Sequence, residues 1–312
     1  MTETVDTTLR RSSLPALAFI GAGRAGSALA AGLAQAGHRV VAVHSRTQEH
    51  ADRLAAATGA EVVATAAEAV RRADITFITV PDAEIVRVAA TIAATGMALP
   101  GRSLVHCSAT NGPDVLAAAR LTTATAGCFH PLQALVGVES AALLSGSSFA
   151  IDAPEPLLGH LRCLVHDLGG HVLDLAPSAR ALYHAAAVLA GNAPLALLAR
   201  ATSLLVEAGV DEASAHRALA ALLRGAAANA EVAGPAAALT GPVVRGDGET
   251  VARHLDVLEA DPNTRELYRR LALESLSLAG PEGREAVADV LAGAERRRGA
   301  SPARVVAHPR VA

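Results

Sequence analysis

Lysine is absent from this 312-residue chain, in which all 27 positions counted as lysine or arginine hold arginine. One whole class of catalytic residue, the amine that forms Schiff bases or acts as a tunable acid, is thereby excluded. Arginine in place of lysine, with so much alanine, fits the codon bias of a GC-rich genome. Tryptophan is missing too, and aromatics make up only 2% of the residues. The core must therefore be packed from Ala, Leu and Val, which favours closely approaching helices. Cysteine is scarce: Cys107, Cys128 and Cys163 are odd in number and show no C-x-x-C spacing. That argues against a disulfide scaffold or a structural zinc and fits a reducing cytosol. The twelve histidines show no H-E-x-x-H or other metal-ligand spacing, so no metal is expected. A formal charge of −3 gives no reason to expect nucleic acid as a partner. The segment before Leu14 is too polar for a signal peptide, and the apolar runs are broken by Gly, Arg, Pro or Asn. The chain is expected to be cytoplasmic, with no membrane partner.

What is present is an alternation. Strand-like runs fall at Leu17–Ile20, Arg39–His44, Ile75–Val80, Ser103–Cys107, Ala126–Phe129, Phe149–Ile151 and His171–Leu175. Helical segments over Arg24–Ala36, Thr47–Thr58, Asp82–Ala94 and Pro154–Leu168 lie between them. Such a pattern predicts an α/β fold, a doubly wound parallel sheet of Rossmann type with helices on both faces. Beyond Pro177, Ala and Leu recur at three- and four-residue spacing, which predicts an all-α second domain. The expected boundaries are 14–174 for the dinucleotide-binding domain and 175–296 for a helical substrate and dimerisation domain. Residues 1–13 and 297–312 are expected to be disordered tails. The cleft between the domains is the expected active site.

The run Leu17-Ala18-Phe19-Ile20 leads straight into Gly21-Ala22-Gly23-Arg24-Ala25-Gly26, and a helix follows. In that setting G-x-G-x-x-G reads as a dinucleotide site. Gly21 turns the chain out of the strand, Gly23 leaves the backbone amides open to a pyrophosphate, and Gly26 lets the helix pack on the strand. Sites for NAD place an acid about 20 residues further on. Here that place is taken by Val43-His44-Ser45-Arg46-Thr47. Ser45 and Arg46 offer a hydroxyl and a guanidinium to a 2′-phosphate, with Arg24 as a further charge, so NADP is the expected cofactor. Val80, Pro81 and Ser108, at strand ends, complete the expected cofactor-binding set.

Reduction by a nicotinamide needs a proton donor as well as the hydride. His184, Val188 and Asn192 are spaced to share one helix face within a very apolar run. They read either as a catalytic pair, His184 and Asn192, or as a core histidine and a helix-capping asparagine before Pro194. His106 and His130 follow buried strands and would either orient loops or bind substrate. Cys107 and Cys128 read as core thiols. The break Leu239–Asp247 offers Arg245 to a substrate carboxylate, with Asn229 nearby, or is a plain helix–helix connection.

Taken together these segments resemble a bacterial family of Rossmann-like oxidoreductases whose second half is a domain of unknown function, number 2520. The resemblance rests on G-A-G-R-A-G at Gly21–Gly26, V-P-D at Val80–Asp82, H-C-S at His106–Ser108 and F-H-P-L-Q at Phe129–Gln133. It continues with Y-H-A-A-A-V at Tyr183–Val188, Asn192, and L-T-G-P-V-V-R-G-D at Leu239–Asp247. The family is similar to ketopantoate reductases, hydroxyacid and prephenate dehydrogenases and pyrroline-carboxylate reductases. This kinship implies a homodimer and substrate binding between the domains. Many of the hydroxyacid dehydrogenases and ketopantoate reductases in that wider group use a lysine at the start of the helical domain as proton donor. With no lysine available, His184 is the expected substitute, and Asn192 the residue that positions substrate. The expected activity is NADPH-dependent reduction of a small carbonyl, a 2-oxo acid such as ketopantoate. An imine reductase or prephenate-type dehydrogenase is the alternative enzyme, and a non-catalytic NADP-binding sensor or scaffold is the alternative of another class.

Overall fold

Short apolar runs with no polar face build the strands. Leu17–Ile20 and Ile75–Ile78 are buried at every position, as strands covered on both faces must be. The computed structural model describes residues 14–280 and 284–299, so the expected tail 1–13 and most of 297–312 lie outside the described residues. The chain divides into two compact units, Met1–Ala193 and Pro194–Ala312.

The first unit runs β1 (Leu17–Ile20), α1 (Arg24–Gln35), β2 (Val40–His44), α2 (Gln48–Thr58), β3 (Glu61–Val62), α3 (Ala66–Arg72), β4 (Ile75–Ile78) and α4 (Asp82–Ala93). It continues with β5 (Ser103–His106), β6 (Thr125–Pro131), β7 (Ser148–Asp152), α5 (Leu157–Asp167), β8 (His171–Leu173) and α6 (Arg180–Gly191). Short 3-10 turns at Pro113–Thr122 and Val138–Leu144 connect the later strands. The strands form one sheet in the order β3-β2-β1-β4-β5-β6-β7-β8. Every pairing is parallel except β6 with β7, which is antiparallel. A doubly wound, mostly parallel sheet followed by a helical region is therefore what the chain forms. The strands at Ile75 and His171 end two residues earlier than the sequence pattern predicts, and β3, α3 and the 3-10 turns are additional.

Helices cover both faces, and the two cores differ in character. One face is dominated by Ile, Val, Leu and Ala around Ile78, Ile85 and Leu104. The other carries all four phenylalanines of the chain. Phe19 stacks on Phe77 at 5.0 Å, Phe77 meets Phe129 edge-on at 5.6 Å, and Phe129 tilts against Phe149 at 5.1 Å. These spacings are those at which aromatic pairs add to simple burial. The few aromatics are thus spent on tying β1, β4, β6 and β7 together.

In the second unit the helices are α7 (Ala193–Glu207), α8 (Glu212–Ala233), α9 (Pro235–Ala238), α10 (Gly248–Val257), α11 (Pro262–Leu278) and α12 (Arg284–Gly299). Asp211, Asp247 and Asp261 cap α8, α10 and α11, each accepting from backbone amides of the first turn. Val243, Val251, Leu255, Ala272, Leu276, Val287 and Leu291 make the core between the last three long helices. There His254 Nδ1 and Tyr268 Oη form a hydrogen bond of 2.8 Å with perpendicular rings. By contrast α7 has no buried residue and α8 only Ala215. The stretch Pro177–Glu207 is long and apolar enough to cross a membrane by length and composition alone, with a mean hydropathy of 1.4. It nevertheless carries Arg180, His184, Asn192 and Arg200.

Candidate active site

The strand order reverses at β1, which lies between β2 and β4. In open α/β sheets this is where the carboxyl ends of the strands leave a crevice for a ligand. Gly21 takes the turn out of β1 at φ +109, a conformation that side chains disfavour, and a Cβ there would press on the Thr79 backbone at 2.8 Å. Thr79 Oγ1 donates to Gly21 O at 2.6 Å, locking the end of β4 to the glycine loop. A Cβ on Gly26 would collide with Gly21 O and Thr79 Oγ1. On Gly23 it would meet nothing within 4 Å. Gly26 is therefore required by packing, and Gly23 faces open space. Among the described residues no side chain caps the α1 N-terminus, so its first amides are left for an incoming anion.

A cavity of about 470 Å³ opens here. Gly21, Ala22, Gly23, Ser45, Arg46, Val80 and Pro81, all expected cofactor residues, line it together with Thr79, Glu84, Arg87 and Val88. Arg24 faces an adjoining space of about 220 Å³ with Ser27, His50, Arg53 and Glu139. Ala25 and Gly26 lie in the first turn of α1. Loop, open amides, Ser45 and Arg46 fit a dinucleotide with a 2′-phosphate. Ser108 does not line this cavity. It is buried, donates to Asp82 Oδ2 at 2.6 Å and accepts from Asn111 Nδ2 at 2.9 Å, so its hydroxyl is occupied in fastening the loop after β5.

A second group of polar side chains collects around the ends of β5 and β6. His106 is fully buried; its Nε2 faces Gly112 O at 2.9 Å and its Nδ1 accepts from Ser108 N at 3.1 Å. Both ring nitrogens serve the loop, and none is free for a substrate. Burial holds this ring below the usual histidine range. His130 Nδ1 lies 2.7 Å from Tyr183 Oη, with the two rings perpendicular. Burial, reinforced by the nearby His184, pushes His130 down to about 4. Burial likewise pushes Tyr183 up to about 12. Both partners are uncharged at neutral pH. Arg180 is buried and donates to Asp152 Oδ2 at 3.1 Å and to Cys128 Sγ at 3.2 Å. The Cys128 thiol is pushed up to about 11 and that of Cys107 higher still, in both cases by burial. Neither thiol is a nucleophile at neutral pH.

His184 and Asn192 are exposed; His184 lies on α6 and Asn192 is its C-cap, with its amide bonded to Val188 O. Arg245 and Asn229 belong to the second unit and are also exposed. Tyr183 and Asp82 entered the sequence reading only as members of the Y-H-A-A-A-V and V-P-D segments, and Arg180, Asp152 and Arg87 were not singled out. The scarcity of tyrosine, one of only two standing beside His184, was the available signal for the first of them.

Residues 16–110 match the family model described as NADP oxidoreductase, coenzyme F420-dependent, and residues 147–275 match the domain of unknown function DUF2520. No curated protein matches the chain. Among solved structures, a Bacteroides fragilis protein described as an NADP oxidoreductase is 25% identical, covers 84% of this chain and 98% of its own, and superposes with a TM-score of 0.69. Pyrroline carboxylate reductase of Plasmodium falciparum, solved with NADP bound, shares 14% identity over 90% of this chain and 97% of its own, with a TM-score of 0.59. An imine reductase from a Pseudomonas species shares 19% over 92% and 95%, with a TM-score of 0.55. At these identities the last two are similar in fold.

Two measurements test this geometry. Gly23→Ala should fold with an unchanged thermal midpoint yet lose NADPH binding in a fluorescence titration. Gly26→Ala should instead destabilise the protein by about 1–3 kcal/mol; equal stability of the two variants would contradict the packing described. Because His130 is depressed from 6.5 to about 4 in the folded state, unfolded chains take up its proton first as pH falls. Its contribution to stability is complete above about pH 6.5 and is lost progressively down to about pH 4. Thermal midpoints measured across that window should fall less steeply in His130→Gln than in the unmodified protein.

Proposed function

We propose that this chain, which belongs to the Rossmann-like NADP oxidoreductases carrying a C-terminal DUF2520 domain, reduces a small carbonyl compound, with 2-oxo acids such as ketopantoate as the substrate class. The observation that carries this reading is the dinucleotide cavity at the carboxyl ends of β1, β2 and β4. NADPH, when bound, supplies a hydride to the carbonyl carbon and leaves as NADP⁺. The protein must then deliver a proton to the carbonyl oxygen.

His184 is the donor in this scheme. His130 is a poor acid at neutral pH because its ring is already unprotonated there, Tyr183 is held well above neutrality, and the chain has no lysine. Asn192 positions the substrate, and His130 with its Tyr183 partner presents a fixed polar edge. A second copy of the chain supplies the cover that α7 and α8 lack. Helices of 15 and 22 residues that bury almost nothing in one chain owe their stability to packing elsewhere. Leu182, Leu189, Leu195 and Leu222 are left exposed on α6, α7 and α8, which supports a homodimer.

Screening 2-oxo acids and cyclic imines for NADPH oxidation tests the activity. Turnover of 2-oxo acids is expected, with kcat falling on the order of 10²-fold or more in His184→Ala while the Kd for NADPH holds. Unchanged turnover in that variant removes His184 from the mechanism. Turnover of cyclic imines alone moves the chemistry to C=N bonds. Sedimentation should find a dimer, and a monomer at micromolar concentration would refute the shared helical surface.

A further inference from the structure

Arg87 lies one helical turn beyond Glu84 on α4 and lines the same cavity as Ser45 and Arg46. Its Nε donates to Glu84 Oε2 at 2.8 Å, and a second N–H of its fork reaches the same oxygen. Among the described residues, Glu84 is the one acid lining that cavity. Its carboxyl is held below the usual range by the hydrogen bond from Arg87 and, less strongly, by the charge of Arg46. Both guanidiniums thus line one cavity with this carboxylate. Arg46 reaches the cavity from the end of β2 and Arg87 from the helix after β4, so they stand on the walls either side of β1.

Two arginines against one carboxylate leave this end of the cavity with one positive charge in excess. An NAD ribose offers only a hydroxyl, which has no charge with which to draw Arg87 from Glu84. A 2′-phosphate offers a dianion with three acceptor oxygens, enough for both forks. We propose that Arg46 and Arg87 form a two-walled clamp on the 2′-phosphate of NADP. Glu84 is the counter-ion that keeps Arg87 over the cavity and yields it when the phosphate enters. Arg87 is thus a specificity-determining residue contributed from outside the glycine loop and the β2 end. The clamp rests on the NADP assignment and not on the identity of the substrate.

Calorimetric titration of the full chain with NADPH and NADH, and with the fragments adenosine 2′,5′-bisphosphate and AMP, tests the clamp without any turnover. Arg87→Ala should weaken NADPH and the bisphosphate roughly tenfold and leave NADH and AMP within about twofold. Arg46→Ala should do the same, and the double variant should bind NADPH and NADH alike. Glu84→Gln, which removes the competing charge, should tighten NADPH several-fold at constant NADH affinity. All of these substitutions are on the cavity surface, and unchanged thermal midpoints will confirm folding. Equal weakening of both dinucleotides by Arg87→Ala, or none, overturns the clamp alone. Selective loss of NADH in Glu84→Gln also overturns it, because Glu84 would then be a ribose ligand. Failure of the unmodified chain to bind NADPH overturns the cofactor assignment and the clamp together.

Discussion

Where α1 leaves β1, the two backbones and the end of β4 come so close that no Cβ fits between them. Gly21 and Gly26 make that approach, and the Thr79 hydroxyl fastens it at 2.6 Å from Gly21 O. Everything on the cofactor side hangs from this junction. It sets where the open amides of α1 point and how far Val80 and Pro81 stand from the glycine loop. It also fixes the width of the gap that Arg46 and Arg87 border from opposite sides. A looser junction would leave the same residues in place with no defined space between them.

The sheet was legible because buried parallel strands are written as apolar runs, and the runs at Leu17, Val40, Ile75 and Ser103 have no polar face to confuse their period. The two-residue β3 was not, since Glu61-Val62 carries no periodicity at all. Helix α3 did carry a signal: Thr65 caps it by accepting from Glu68 N, three residues on, the spacing of a capping box. The glycine-loop and β2-end side of the cavity was equally legible, because those residues follow strands in sequence, whereas Glu84 and Arg87 lie inside α4. What escaped was chemistry made by distant partners. Nothing local to Ser108 or His106 announces that Asp82 and Gly112 will occupy their polar atoms. Likewise nothing in Arg180 foretells Asp152 and Cys128, and such pairings exist only once β4 to β7 have assembled.

The polar residues near β5 and β6 therefore fall into two sorts. Those bonded to each other, His106, Ser108, Asp82 and Asn111, hold a loop. Charges are neutralised where they are buried: Arg180 has its carboxylate, the thiols keep their protons, and His130 stays neutral against Tyr183. Left exposed, His184 stands on α6 and Asn192 caps its end, just before the boundary between the two units.

The two tyrosines, each hydrogen-bonded to a histidine Nδ1 with perpendicular rings, fall one in each compact unit. With no tryptophan to dominate the ultraviolet spectrum, the molecule carries a separate optical label on each half. Tyr183 reports on the sheet-bearing half and Tyr268 on the helical one. Replacing either phenol by phenylalanine silences one half while the other remains visible. Order of melting, or the half that first senses a ligand, then becomes a matter of ordinary absorbance.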